Sequence, residues 1–139
     1  MTAPNQPCFK AKVGASASIS PSNNVRYDTI VIETDNGYDT TTSEYTIQSA
    51  GTWFFYYGFF SNGDDEGYTG QLQQNGIVRD EVRLSSTSTN VFIFNNIEAK
   101  GMVIIPCSVD DIIRVRCSAG VIRVGSSQEF HTFGGFRIG

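Results

Sequence analysis

The chain has 139 residues, 40% of them apolar and 17% charged, with ten Lys and Arg against fourteen Asp and Glu. That length suits one domain with a buried core, and that composition excludes a disordered segment. The net charge of −4, with basic residues scattered singly or in pairs, speaks against a nucleic-acid surface, which needs a clustered basic patch.

The opening "MTAPNQP", residues 1–7, is polar with two prolines and reads as a loose arm ahead of one domain over 8–139. No cationic stretch followed by an apolar one opens the chain, so no secretory signal is expected. Helical periodicity is almost absent. Short β-branched and aromatic runs predict strands at Cys8–Val13, Thr29–Thr34 and Glu44–Ile47. The next, Gly51–Phe60, reads GTWFFYYGFF, with seven aromatic residues in ten. It is about half the length a membrane-spanning helix needs, and Asp64, Asp65 and Glu66 follow closely. A strand covering one core alternates apolar and polar residues, whereas this one is apolar on both faces, so something must cover the second.

Further strands are predicted at Tyr68–Gln74, Ile77–Leu84, Asn90–Ile97, Met102–Cys107, Ile112–Arg116, Val121–Val124 and Phe130–Ile138. Asn75-Gly76 between two of them is a strong hairpin signal, because both turn residues must tolerate positive φ. "DNGY" at Asp35–Tyr38 and "SNGD" at Ser61–Asp64 carry the same chemistry. About ten strands at this spacing and no helix predict an all-β antiparallel sandwich or jelly roll.

Chemistry-bearing groups are few. Cys8, Cys107 and Cys117 lack metal-site spacing. They read most simply as free thilos of a reducing cytosol, with a Cys107–Cys117 bridge left open. The single histidine, His131, sits in a strand pattern and reads as structural. No nucleophile elbow, phosphate-binding loop or zinc-protease helix occurs, so no catalytic residue and no organic cofactor are expected. Asp80-Glu81 and Asp110-Asp111 read as turn or surface charges. The acidic run "NGDDEG" makes Asp64, Asp65 and Glu66 a weak calcium candidate, set against a plain solvated hairpin tip.

Several motifs then fall into a familiar order. Tyr45, five residues, then Gly51-Thr52-Trp53-Phe54-Phe55-Tyr56-Tyr57 resembles the signature of the C1q-like domain. "NGYD" at Asn36–Asp39, Asn75-Gly76, "VDDIIRV" at Val109–Val115 and the closing "HTFGGFRI" at His131–Ile138 are similar to family motifs, with Asp110 in place of a glycine. The resemblance spans Phe9 to Ile138. It implies a ten-stranded jelly roll, shared by C1q heads and tumour necrosis factor (TNF) relatives and assembled as a homotrimer. The second aromatic row is then expected on the threefold axis.

Carried over by position, the axis residues are Phe54, Tyr56 and Phe60, with Phe136 and Ile138 on the closing strand. Gly134 and Gly135 would allow close approach there. The competing phase places Trp53, Phe55 and Tyr57 on the axis instead. No collagen-like stem and no signal peptide are seen, which favours the stemless relatives of bacteriophage and bacterial surfaces. The expected function is a non-enzymatic structural trimer on a virion surface, a capsid decoration or fibre-head protein whose partner is a capsid or tail protein. The alternative is a trimeric recognition module for a cell-surface glycan or protein, on a viral or bacterial surface. Neither nucleic-acid binding nor membrane insertion is expected.

Overall fold

The computed structural model describes residues 6–15, 17–62, 68–84, 96–124 and 131–139, leaving aside the side chains of 60–62, 84, 96–99 and 123. Among the described residues there are thirteen strands and no helix. Eleven of them form two main sheets. The first contains β10 (Asn96–Cys107), β7 (Gly51–Asn62), β13 (Thr132–Arg137), β1 (Cys8–Lys12) and β4 (Thr29–Glu33), in that spatial order. The second contains β5 (Tyr38–Asp39), β6 (Glu44–Thr46), β11 (Ile112–Ala119), β8 (Tyr68–Gln74) and β9 (Ile77–Leu84). Short β3 (Asn23–Asn24) adds to β11, and β2 (Ala17–Ile19) pairs with β12 (Ile122–Val124) in a separate ribbon. All pairings among the described residues are antiparallel, and apart from the β5–β6 and β8–β9 hairpins the chain passes back and forth between the sheets, as in a jelly roll.

The core is aromatic because every second residue of β7 is. Trp53, Phe55, Tyr57 and Phe59 are at most 2% exposed and point between the sheets. Trp53 and Phe55 stack at 5.7 Å, and Phe9 of β1 stacks on Tyr45 of β6 at 4.1 Å, joining the two sheets. Each polar tip in this layer finds a partner. Trp53 Nε1 donates to the Ser49 carbonyl at 3.0 Å, Tyr27 Oη to the Gly58 carbonyl at 3.1 Å, and Tyr38 Oη to the Tyr27 carbonyl at 2.6 Å.

The turns follow the sequence chemistry. Asn75 and Gly76 adopt φ of 52° and 83° between β8 and β9, and Asn36 adopts 57°. Asp110, where the family motif has glycine, sits at φ 75°. The neighbouring Asp111 carboxylate accepts from Ser108 N, Asn75 Nδ2 and Gln74 Nε2, tying two turns together.

The strand expected at Met102–Cys107 and the end of the one expected at Asn90–Ile97 are instead the single strand β10, paired with β7 without a break from Asn96↔Asn62 to Cys107↔Gly51. Residues 90–95 lie outside the described residues. Residues 98–101, between the two expected strands, are strand residues too, and Gly101 lies under a ring. A Cβ there would collide with Tyr57 and with Asp80, whose carboxylate accepts the Tyr57 hydroxyl at 2.7 Å. Gly101→Ala should therefore break that hydrogen bond or shift β10, costing about 1–3 kcal/mol in urea unfolding. An unchanged midpoint would show that β10 moves aside freely.

β2, β3 and β5 were not expected as strands, being two or three residues long. Gln6 and Pro7, assigned to the arm, lie along β13: Pro7 accepts from Arg137 N at 3.1 Å and the Gln6 amide donates to the Arg137 carbonyl. Residues 1–5 lie outside the described residues.

Candidate functional site: the apolar face of the first sheet

The two outward faces of the sandwich differ in chemistry. On the second sheet the outward side chains form a polar chain: Arg114 Nε donates to Gln73 Oε1, Gln73 Nε2 to Gln71 Oε1 and Gln71 Nε2 to Glu81 Oε1, at 2.9, 3.0 and 2.9 Å. Such a face is at home in water.

The first sheet faces outward with large apolar groups. Alternation along β7 turns Phe54 and Tyr56 away from the core, both half-buried, so the phase with Trp53, Phe55 and Tyr57 outward is excluded by their burial. Register then sets their neighbours. Phe54 lies between Ile104 of β10 and Phe136 of β13, and its ring is 5.2 Å from that of Phe136. Tyr56 lies between Met102 and Gly134. Met102 is 66% exposed, Ile104 59%, Ile138 47% and Phe136 38%. Cys8, opposite Phe136, continues the upper row, and Lys10 and Ile32 continue the lower one through Gly134.

Of the residues singled out in the sequence, Phe54, Tyr56 and Phe136 therefore share one patch, with Ile138 just beyond β13. Phe60 is placed on β7 opposite Glu98, and its side chain lies outside the described residues. Met102 and Ile104 complete the patch and escaped sequence reasoning. Their spacing of two was visible, but which face they occupy depends on pairing with β7.

The glycine pair has a role within the protomer. A Cβ on Gly134 would meet the Tyr56 ring, and one on Gly135 the Phe55 ring. Each glycine thus makes room for an aromatic of its own chain, one on each face of β13. Tyr56 consequently lies flat over Gly134, and burial, then the Cys8 thiol, raises its hydroxyl pKa.

The remaining candidates are scattered. Asp64, Asp65 and Glu66 lie outside the described residues, and no cluster of three metal-ligating side chains occurs among the described ones. Cys8, Cys107 and Cys117 are all free thiols, the last two buried, so the Cys107–Cys117 bridge left open above is not formed. Burial pushes the Cys107 thiol up to about 12, which suits an inert core residue.

His131 is fully buried at the start of β13, and burial lowers its pKa to about 4. A base depressed in the folded state holds its full contribution to stability above its unfolded pKa of about 6.5 and loses it as the pH falls toward 4. The loss should reach about 3 kcal/mol, read as a falling urea midpoint between pH 6.5 and 4. His131→Gln should flatten that slope; a wild-type midpoint constant across the interval would contradict the buried neutral imidazole. The Asp111 carboxyl, held below its usual range by Ser108 N and Asn75, weakens the fold only at still lower pH.

Two crossing sheets, an aromatic core and one apolar outer face define a TNF-like jelly roll. The C1q domain family matches residues 8–138, and the chain belongs to that family. The globular domain of zebrafish complement 1qA superposes with a TM-score of 0.73 at 13% identity, over 96% of this chain and 98% of that one. Eiger TNF from S. frugiperda gives 0.72 at 14% identity, over 96% and 91%. Murine APRIL gives 0.71 at 11% identity, over 96% and 100%. At these identities the superpositions establish the fold.

Proposed function

We propose that this chain is a non-enzymatic homotrimeric head whose three first sheets meet on a threefold axis through Phe54, Tyr56, Met102, Ile104, Phe136 and Ile138. The exposed apolar face carries the proposal. A soluble monomer rarely leaves so many contiguous large side chains in water, while its opposite face carries a hydrogen-bonded polar chain. A cyclic assembly buries the same patch on every copy and leaves the polar sheets outward. Phe60, on β7 opposite Glu98, is the remaining residue expected at the seam.

Within this reading the head is a surface component of a virus particle, a capsid decoration or fibre-head protein that docks on a capsid or tail protein. Antibody to this chain should label the surface of virus particles released from the cells that make it. Label on the cell envelope, with none on particles, would overturn the particle role. It would support the other reading, a recognition module for cell-surface glycans or proteins on a bacterial surface, which the polar outer sheet favours. Calcium at Asp64, Asp65 and Glu66 is an accessory part of the proposal: removing calcium with a chelator should lower the melting temperature, and an unchanged one would remove this part.

A further inference from the structure

The second sheet is split on one side. Along one edge of β11, β6 pairs with Ile112 to Arg114, and β3 pairs with Arg116 and Cys117. Val115 lies between them and is bridged by Val25, whose N–H donates to its carbonyl at 2.8 Å. A cleft of about 730 Å3 opens at this split. Residues 17–20 and 22–24 form one wall and 41–44 the other, with Arg26 and Arg116 contributing the cationic groups.

Three features point to a ligand. The charge leans cationic: Glu44, the one carboxylate in the lining, is engaged with Arg114 at 3.5 Å and acts on Arg116 only through space, and among the described residues no salt bridge involves Arg116 or Arg26. In a chain of net charge −4, two arginines lining one cleft stand out. The walls are also fixed in advance. Arg116 Nε donates to Asn24 Oδ1 at 3.2 Å, Asn24 Nδ2 reaches across to the Thr42 carbonyl at 2.9 Å, and Asp39 Oδ1 accepts from Thr41 N at 2.8 Å. A preformed site loses less on binding. Finally, the lining is rich in serine, threonine and asparagine and contains no aromatic residue, which fits hydroxylated ligands and lacks a platform for stacked bases.

We propose that this cleft binds an acidic saccharide, with Arg116 and Arg26 gripping its carboxylate or sulfate group and the walls hydrogen-bonding its hydroxyls. A guanidinium matches both anions with a fork of two donors. The volume lies within the range of small-ligand pockets, about 300–1,000 Å3. Burial, and then the neighbouring Arg114, lower the Arg116 pKa while Glu44 raises it, and a bound anion would offset the repulsion from Arg114. The inference goes beyond the homotrimer reading and stands without it, because every lining side chain belongs to one protomer.

Calorimetric titration with sialyllactose, a sulfated heparin disaccharide, neutral lactose and sodium sulfate tests it. At least one acidic saccharide should bind, lactose should not, and Arg116→Gln should weaken binding at least tenfold. Arg26→Gln is the companion variant: Arg26 is exposed and makes no hydrogen bond among the described residues, so its loss leaves the fold intact while weakening the same ligand severalfold. Failure of both acidic saccharides to bind, equal binding of lactose, or unchanged affinity in both variants would overturn the proposal. Sulfate binding as tightly as the saccharides would overturn its saccharide part.

Discussion

Tyr56→Lys is expected to dissociate the proposed homotrimer while leaving each protomer folded. Tyr56 lies half-buried across Gly134 on the outer face, so a lysine there can extend into water in the free protomer. On a threefold axis the same substitution places three ammonium groups together with little water, at a cost of several kcal/mol. Light scattering should show monomer, or aggregate through the exposed patch, with the β-sheet circular dichroism retained. A trimer of undiminished stability would remove Tyr56 from the seam. Ile104→Glu, on the neighbouring strand, should act in the same direction.

The residue beside it is expected to do the opposite. Phe55 is fully buried, stacked on Trp53 and in contact with Gly135 across the β7–β13 pair. Phe55→Ala removes core volume between two sheets that cannot collapse around the gap, and should destabilise the fold by about 3–5 kcal/mol. For a domain of this size the melting temperature should fall by roughly 10–20 °C. The protein that remains folded should keep its assembly state, since the outer face is untouched. A drop of only a degree or two would mean that the aromatic layer repacks, contrary to the tight stacking seen.

The paired outcomes rest on the feature most legible in the sequence. Strict alternation over Trp53 to Phe60 separates two aromatic rows, and only the one containing Trp53, Phe55, Tyr57 and Phe59 fits between the sheets. Asn75-Gly76 was legible for a similar reason, because positive φ at both positions is a local demand met by few residues. Other parts depend on partners distant in sequence. Gly101 breaks β10 by propensity and is required in it by the Tyr57 ring. Met102 and Ile104 join the apolar face only through the register with Tyr56 and Phe54. The cleft was hidden more deeply, since its serines and asparagines have the composition of plain loops. Its cationic character arises only where β3 and β6 divide the edge of β11 beside Arg116.

The account turns on whether the apolar face is covered by copies of the same chain. Sedimentation equilibrium of the unmodified protein, from micromolar down to nanomolar concentration, measures this most directly. The chain mass is 15.2 kDa, so three copies give about 46 kDa, and that single species is predicted across the range. A species of 15.2 kDa that stays soluble and folded at micromolar concentration would contradict the account, because it would leave Phe54, Tyr56, Met102, Ile104 and Phe136 in water.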